Sequence, residues 1–337
     1  MKFIMSIFWL LFSLNANAFF WSDKSLSQET IDFWQPDTNE SFQIPERPYD
    51  IYNYERQLKF SGVNHFKRSF STYNNKGTLF SSWNPVVKTN KRTPTVIIVH
   101  GGHGINPIDF QSAKWFKDVV GANVLILDSF WSRGQVENHY STNQLGVNTR
   151  VLDVLAAVRW LEKQPEVDPK LIYVYGGSQG GWTGLRVMTD DPFITKEAKG
   201  KIRAAFSVYP FCREAPKYGG VGRMHHDTNL DVTPWFAPNL GPYHGNIYVF
   251  TGGLDTATSI NFCNRSVFTE ATSWTHYEND THAWDLPTGN NYGEPQIDGK
   301  CARAKNPTNQ FNQCRNNKVT EEVRQKIKSV IDADLNI

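Results

Sequence analysis

Leu171-Ile172-Tyr173-Val174-Tyr175-Gly176-Gly177-Ser178-Gln179-Gly180-Gly181-Trp182 is the stretch whose reading decides the fold. A β-type apolar run leads directly into Gly-x-Ser-x-Gly, and a helix-compatible segment follows. A serine held between a buried strand and a helix sits on a turn so tight that its side chain is thrust out above the sheet. Such a turn strains the serine backbone and needs small neighbours on both sides, which Gly176 and Gly180 supply. The five-residue pattern alone is weak, because glycine-rich turns without chemistry are common. Its position after a buried strand is what gives it weight.

Working outward, Val96-Ile97-Ile98-Val99 and Val124-Leu125-Ile126-Leu127 are continuous apolar runs, as expected of strands buried on both faces. Between Asn148 and Gln164 apolar residues recur at helical spacing, and Pro165 closes the segment. Ile202–Val208 and Ile247–Phe250 read as further strands, and Ser273–Tyr277 is β-like. Strands alternating with helices predict an α/β fold with a doubly wound, mostly parallel sheet. Its site should lie at the C-terminal ends of the strands.

A serine hydroxyl is a poor nucleophile and needs a base within hydrogen-bond reach, itself oriented by a carboxylate. When a serine occupies this kind of turn, its partners follow in the order acid, then histidine. Asp255 comes shortly after the Ile247–Phe250 run, in Thr251-Gly252-Gly253-Leu254-Asp255-Thr256, where glycines let the carboxylate turn back. His282 lies in a loop after Ser273–Tyr277, where the base must originate, whereas His276 lies inside that strand. Asp280 and Asp285 are rival acids, but both are too near His282 to come from a separate strand end. An Asx-turn role is the plain alternative for Asp255.

Negative charge developing on a substrate oxygen needs backbone N–H donors, worth about 3 kcal/mol each. One should be the amide of Gln179, the residue after Ser178. The other should come from His100-Gly101-Gly102-His103-Gly104, which follows Val96–Val99, with Gly102 and His103 as candidates. Phosphate binding by this loop lacks the GxGxxG or Lys-Ser/Thr pattern. The His225-His226 pair lacks metal-ligand spacing, so no metal or cofactor is expected.

From Thr95 to Asp285 these pieces together resemble the α/β-hydrolase superfamily, and within it the dienelactone hydrolase-like family. The resemblance rests on Val99–Gly104, Asp128-Ser129-Phe130-Trp131-Ser132-Arg133-Gly134, Gly176–Gly181, and Gly253-Leu254-Asp255 with Thr281–Asp285. It implies the α/β-hydrolase fold, a Ser178-Asp255-His282 triad and acyl transfer. The enzymes that named the family use cysteine as nucleophile. Ser178 therefore points away from dienelactone itself and toward other carboxylic esters. Arg133, Trp182 and Trp235 are candidate pocket residues, Trp235 standing in an aromatic-rich segment, 213–245, that suits a pocket wall or lid.

Composition bounds the setting. The 337-residue chain carries a net charge of +2, which gives no electrostatic footprint for nucleic acid or an anionic membrane. Met1-Lys2, the apolar run Phe3–Leu14 and Ala16-Asn17-Ala18 read as a signal peptide over 1–18, too short for a stable transmembrane anchor. Export to the periplasm or beyond would favour disulfides among Cys212, Cys263, Cys301 and Cys314. Three connectivities exist, and Cys301–Cys314 with Cys212–Cys263 is preferred. The organisation expected is a leader (1–18), an arm with the first strands (19–94), a catalytic core (95–285) and a C-terminal extension with a final helix (286–337). The expected function is an exported serine hydrolase of a small-molecule carboxylic ester. The alternatives are a small exopeptidase of the prolyl-oligopeptidase type and a catalytically silent binding protein.

Overall fold

Apolar runs with no polar interruption form the middle of an eight-stranded sheet. The computed structural model describes residues 66–75, 77–86, 91–130, 132, 147–211, 242–258, 268, 270–286, 301–305 and 310–336. Its strands are β1 (Phe66–Ser71), β2 (Thr78–Asn84), β3 (Thr93–Val99), β4 (Asn123–Asp128), β5 (Val167–Gly177), β6 (Ile202–Val208), β7 (Asn246–Gly252) and β8 (Ser273–Tyr277). They are ordered β1-β2-β4-β3-β5-β6-β7-β8. The β1–β2 and β2–β4 pairs are antiparallel, and every pair from β4–β3 to β7–β8 is parallel.

The alternation of a strand's side chains explains the continuous runs. Ile97, Val99, Leu125, Leu127, Ile172, Val174, Ile247 and Val249 belong to one buried cluster. Their sequence neighbours Val96, Ile98, Val124, Ile126, Tyr173, Tyr175 and Phe250 belong to another on the opposite face. Both faces are covered, so the middles of β3 and β4 are apolar and their buried polar residues, Thr95, Asn123 and Asp128, lie toward the strand ends. α2 (Val147–Leu161), α3 (Gln179–Val187) and α4 (Pro192–Ala198) supply residues to the first cluster. α1 (Pro107–Trp115), continuing into a π-helical turn at Phe116–Val120, and α5 (Asn317–Leu335) supply the second. Among the described residues no helix is long and apolar enough to cross a membrane.

Two local differences from the sequence reading are informative. The helix expected over Asn148–Gln164 runs from Val147 to Leu161, with turns carrying the chain to Pro165. The C-terminal extension (286–337), for which only a final helix was expected, also contains an antiparallel hairpin of β9 (Cys301–Lys305) and β10 (Gln310–Cys314) that sets Cys314 opposite Cys301. Cys314 is disulfide-bonded. The expected leader (1–18), the 19–65 part of the arm with the first strands (19–94), the 213–241 part of the lid segment and the Cys212–Cys263 pairing lie outside the described residues.

α1 begins with a capping box: Asn106 Oδ1 accepts from the Ile108 N–H at 2.9 Å, and Asp109 Oδ2 accepts from the Asn106 N–H at 2.9 Å. Burial pushes the Asp109 carboxyl up to about 7, although the Asn106 N–H pulls the other way. The fold therefore keeps a proton that the unfolded chain releases above about pH 4. Stability attributable to this group should fall as pH rises from about 4 to about 7 and then level off. In Asp109→Asn the amide oxygen keeps the cap and nothing titrates. Urea denaturation across that window should show the stability of the variant gaining on wild type as pH rises.

Candidate active site

The turn between β5 and α3 is built around missing side chains. A Cβ on Gly176 would lie 2.4 Å from the Gly180 carbonyl carbon, and one on Gly180 would lie 1.9 Å from Val99 O and 2.8 Å from His100 O. The strand end, the helix start and the end of β3 are thus in backbone contact. Ser178 between them has φ 55° and ψ −122°, outside the regions a serine favours. Such strain costs on the order of 1–3 kcal/mol and persists only where surroundings over-determine it. Here the Ser178 N–H donates to Val208 O at 3.1 Å, and Ser178 O accepts from the N–H groups of Trp182 (3.1 Å) and Phe211 (2.9 Å).

Asp255 and His282 meet where the loops after β7 and β8 come together. His282 Nδ1 donates to Asp255 Oδ2 across 2.8 Å, with both side chains buried. Asp255 Oδ1 accepts from the N–H groups of Ala257 (2.9 Å) and Thr258 (2.8 Å), and Oδ2 accepts from Thr258 Oγ1 at 2.6 Å. Burial alone would push the Asp255 carboxyl up. Attraction to His282, followed by the hydrogen bonds from His282 and Thr258, outweighs it and holds the carboxyl below its usual value. The local Asx turn and the contact with His282 therefore coexist. The two loops approach closely because Gly252 and Gly253 lack side chains. A Cβ there would lie 2.5 Å from Asp280 O and 2.3 Å from Glu278 O.

The rival acids have other partners. Asp280 Oδ1 accepts from Asn316 Nδ2 at 2.7 Å. Asp285 Oδ1 accepts from the Tyr209 hydroxyl at 2.6 Å and Oδ2 from the Tyr175 hydroxyl at 3.3 Å. His276 stays on β8, stacked on Trp274 at 5.2 Å and bonded to Thr251 Oγ1.

The glycine loop after β3 lies against the serine. A Cβ on Gly101 would touch Ser178 Cβ at 3.7 Å, and the Gly104 N–H closes a turn on Gly101 O at 3.3 Å. Gly102 is buried and His103 half-buried. The Ser129 N–H donates to His100 Nε2 at 3.3 Å, which puts the ring proton on Nδ1, donating to Gly101 O at 2.8 Å. Burial, reinforced by Arg150, lowers the His100 pKa far enough to keep the ring neutral. Arg150 Nη2 donates to His100 O, and the guanidinium lies 5.2 Å from the Phe130 ring centroid. Arg150 was not anticipated. Its signal was a charge on the buried stripe of α2 that it shares with Val154, Ala157 and Leu161. In the Asp128–Gly134 segment, Ser132 Oγ donates to Asp128 O at 2.5 Å and accepts from the Phe80 N–H at 2.8 Å.

Of the candidate pocket residues, Trp182 is buried in α3 against Phe211 at 5.9 Å, while Arg133 and Trp235 lie outside the described residues. Gln179 is the first residue of α3. His225 and His226 are likewise outside, and among the described residues no cluster of three or more His, Cys, Asp or Glu could hold a metal. Two further contributors were missed. Tyr209 packs against His282, and the segment after β10 fastens the histidine loop from outside. There the Cys314 N–H donates to Thr281 Oγ1 (2.7 Å), the Asn316 N–H to Trp284 O (2.8 Å) and Arg315 Nη1 to Leu286 O (2.8 Å).

No family model matches the chain. It is 27% identical over 128 residues to acylamino-acid-releasing enzyme 1 of Oryza sativa subsp. japonica, covering 37% of this chain and 16% of that protein. It is 29% identical over 119 residues to acylamino-acid-releasing enzyme of Arabidopsis thaliana, covering 34% and 16%. The chain thus matches only about a sixth of the length of these curated relatives. Among solved structures it is similar to Thermogutta terrifontis esterase 2 phosphoramylated by tabun. The TM-score is 0.52 at 16% identity, over 79% of this chain and 94% of that one. Strand order, parallel register and this likeness make the fold an α/β-hydrolase fold.

The elbow tolerates no added atom at Gly180. Gly180→Ala should either fail to fold or lose at least about 3 kcal/mol of stability in urea denaturation, since the new methyl would meet two backbone carbonyls that cannot move independently.

Proposed function

We propose that the protein is a serine hydrolase of small carboxylic esters working through an acyl-enzyme. Ser178 is its nucleophile, His282 its base and Asp255 its orienting acid. The observation that carries this reading is the 2.8 Å bond from His282 Nδ1 to Asp255 Oδ2, in loops after β8 and β7, together with a serine strained to φ 55° at the end of β5. With Nδ1–H given to Asp255, Nε2 keeps a lone pair for the serine proton. In this mechanism Ser178 Oγ attacks the ester carbonyl while its proton passes to His282. The tetrahedral oxyanion takes hydrogen bonds from the Gln179 N–H and from Gly102 or His103. The alcohol leaves with the proton from His282. Water then enters by the same route and the acyl group departs as the acid.

The buried, multiply bonded Asp255 supports the assignment, because a carboxylate held below its usual pKa stays ionised where the imidazolium forms. The esterase neighbour, captured with an organophosphorus group, fits the reaction class. The acylamino-acid-releasing relatives favour a second reading, removal of an acylated amino acid from a short peptide by the same machinery. Export, with 1–18 as leader and a Cys301–Cys314 disulfide, belongs to the proposal. Its support is the disulfide-bonded state of Cys314 and its register opposite Cys301.

Ser178→Ala should keep the fold by circular dichroism, lose hydrolysis of p-nitrophenyl acetate by at least about 10³-fold and lose fluorophosphonate labelling. Activity surviving in that variant would sink the mechanism. Wild type that takes no label would support the silent binding protein. Comparing kcat/KM for p-nitrophenyl esters and N-acetylated dipeptides separates the two hydrolytic readings.

A further inference from the structure

We propose that Tyr209 is a positioning residue for His282, acting as a wedge between the serine turn and the histidine loop, with Asp285 as its anchor. This inference rests on His282 being the base.

Tyr209 is the first residue after β6, and its N–H donates to Phe250 O of β7 at 2.7 Å. Its φ is 36°. Among the described residues only Asn75, Ser178, Tyr209 and Ala283 combine a side chain with positive φ, and three of these adjoin the site. Asparagine tolerates this conformation, whereas tyrosine is held there at a cost. That conformation accompanies a ring lying over Gly177, where a Cβ would come 2.6 Å from Tyr209 Cε2. Its other neighbours are His282, with ring centroids 4.8 Å apart at 60°, and Trp284, at 4.9 Å and 87°. One ring therefore touches the residue before the nucleophile and the base itself.

The hydroxyl end explains why a second buried carboxylate lies next to a triad that does not use it. Asp285 is 7% exposed, and an unpartnered carboxylate there would be costly. The Tyr209 hydroxyl supplies a donor at 2.6 Å and Tyr175 another at 3.3 Å. Burial raises the Tyr209 pKa well above the ordinary phenol value, with Asp285 adding to the effect, so the hydroxyl keeps its proton and donates. Asp285 comes three residues after His282, so the same carboxylate ties the ring to the loop that carries the base. Displacing His282 by about 1 Å can cost on the order of 10²-fold in rate without touching substrate binding.

The test uses the full chain, p-nitrophenyl acetate kinetics, the rate of fluorophosphonate labelling at Ser178 and thermal unfolding. Tyr209→Phe keeps the wedge without its anchor and should lower kcat about 10-fold with KM within about 3-fold; labelling should slow equally. Tyr209→Leu should cost at least about 100-fold. Asp285→Ala, which also frees the Tyr175 hydroxyl, should lose at least as much as Tyr209→Phe, and combining the two should add little to the loss in Asp285→Ala, because both break the Tyr209–Asp285 bond. Asp285→Asn keeps an acceptor and should recover most of what Asp285→Ala loses. Folded Tyr209→Phe with wild-type kcat and labelling rate would overturn the inference. So would losses that multiply in the double variant, or a loss that tracks only the unfolded fraction. If Asp285→Ala does not fold, Tyr209→Phe decides alone. Labelled wild type beside unchanged variants rejects the wedge and spares the proposed function, whereas unlabelled wild type rejects the function itself.

Discussion

Everything in this site depends on how closely the backbone of β5 and α3 can approach the end of β3. With glycine at 176 and 180, the carbonyl of Val99 stands where any Cβ on Gly180 would have to be. That contact fixes the distance between the serine turn and the loop leaving β3. Gly101 consequently lies against Ser178, and the loop is held there by a neutral, buried His100 and by Arg150 on its carbonyl. The strain at Ser178 is affordable because three backbone hydrogen bonds and two interlocked glycines leave no relaxed alternative. A serine whose backbone is placed by backbone contacts is insensitive to the rotamer noise of the surrounding side chains.

His282 is placed by different means. It sits in a loop, and loops are positioned by what they touch. On one side Asp255 takes its Nδ1 proton, and on the inner side Tyr209 meets its ring. On the outer side residues 314–316 bond to Thr281, Trp284, Asp280 and Leu286. Ala283, at φ 52°, marks the tightness of the bend that results. Asp255 is itself buried, and its turn is self-contained within Asp255–Thr258.

The legible parts were those written locally. Two-faced burial makes β3, β4 and β5 unmistakable as apolar runs, and a serine between glycines after such a run has few other structural meanings. Asp255 and His282 were readable because a parallel sheet delivers its loops in a fixed order, so position along the chain stood in for position in space. Tyr209 was not readable. Nothing in Ser207-Val208-Tyr209-Pro210 distinguishes a wedge from an ordinary aromatic; its meaning comes from Gly177 and His282, on other elements. Arg150 and Asp285 were obscured for a related reason, since each is a charge whose burial is balanced by partners distant in sequence. The β9–β10 hairpin escaped because Cys-Ala-Arg-Ala-Lys and Gln-Phe-Asn-Gln-Cys lack the apolar alternation by which a strand announces itself.

The outer fastening of the histidine loop has a temporal meaning. All three residues assigned to the chemistry have been made by the time the ribosome reaches Asp285, but β10, Asn316 and α5 come later. The loop acquires those bonds only when this last part of the fold docks. Until then Thr281, Trp284 and Leu286 lack the partners that residues 314–316 give them, so His282 gains its full support later than Ser178 does.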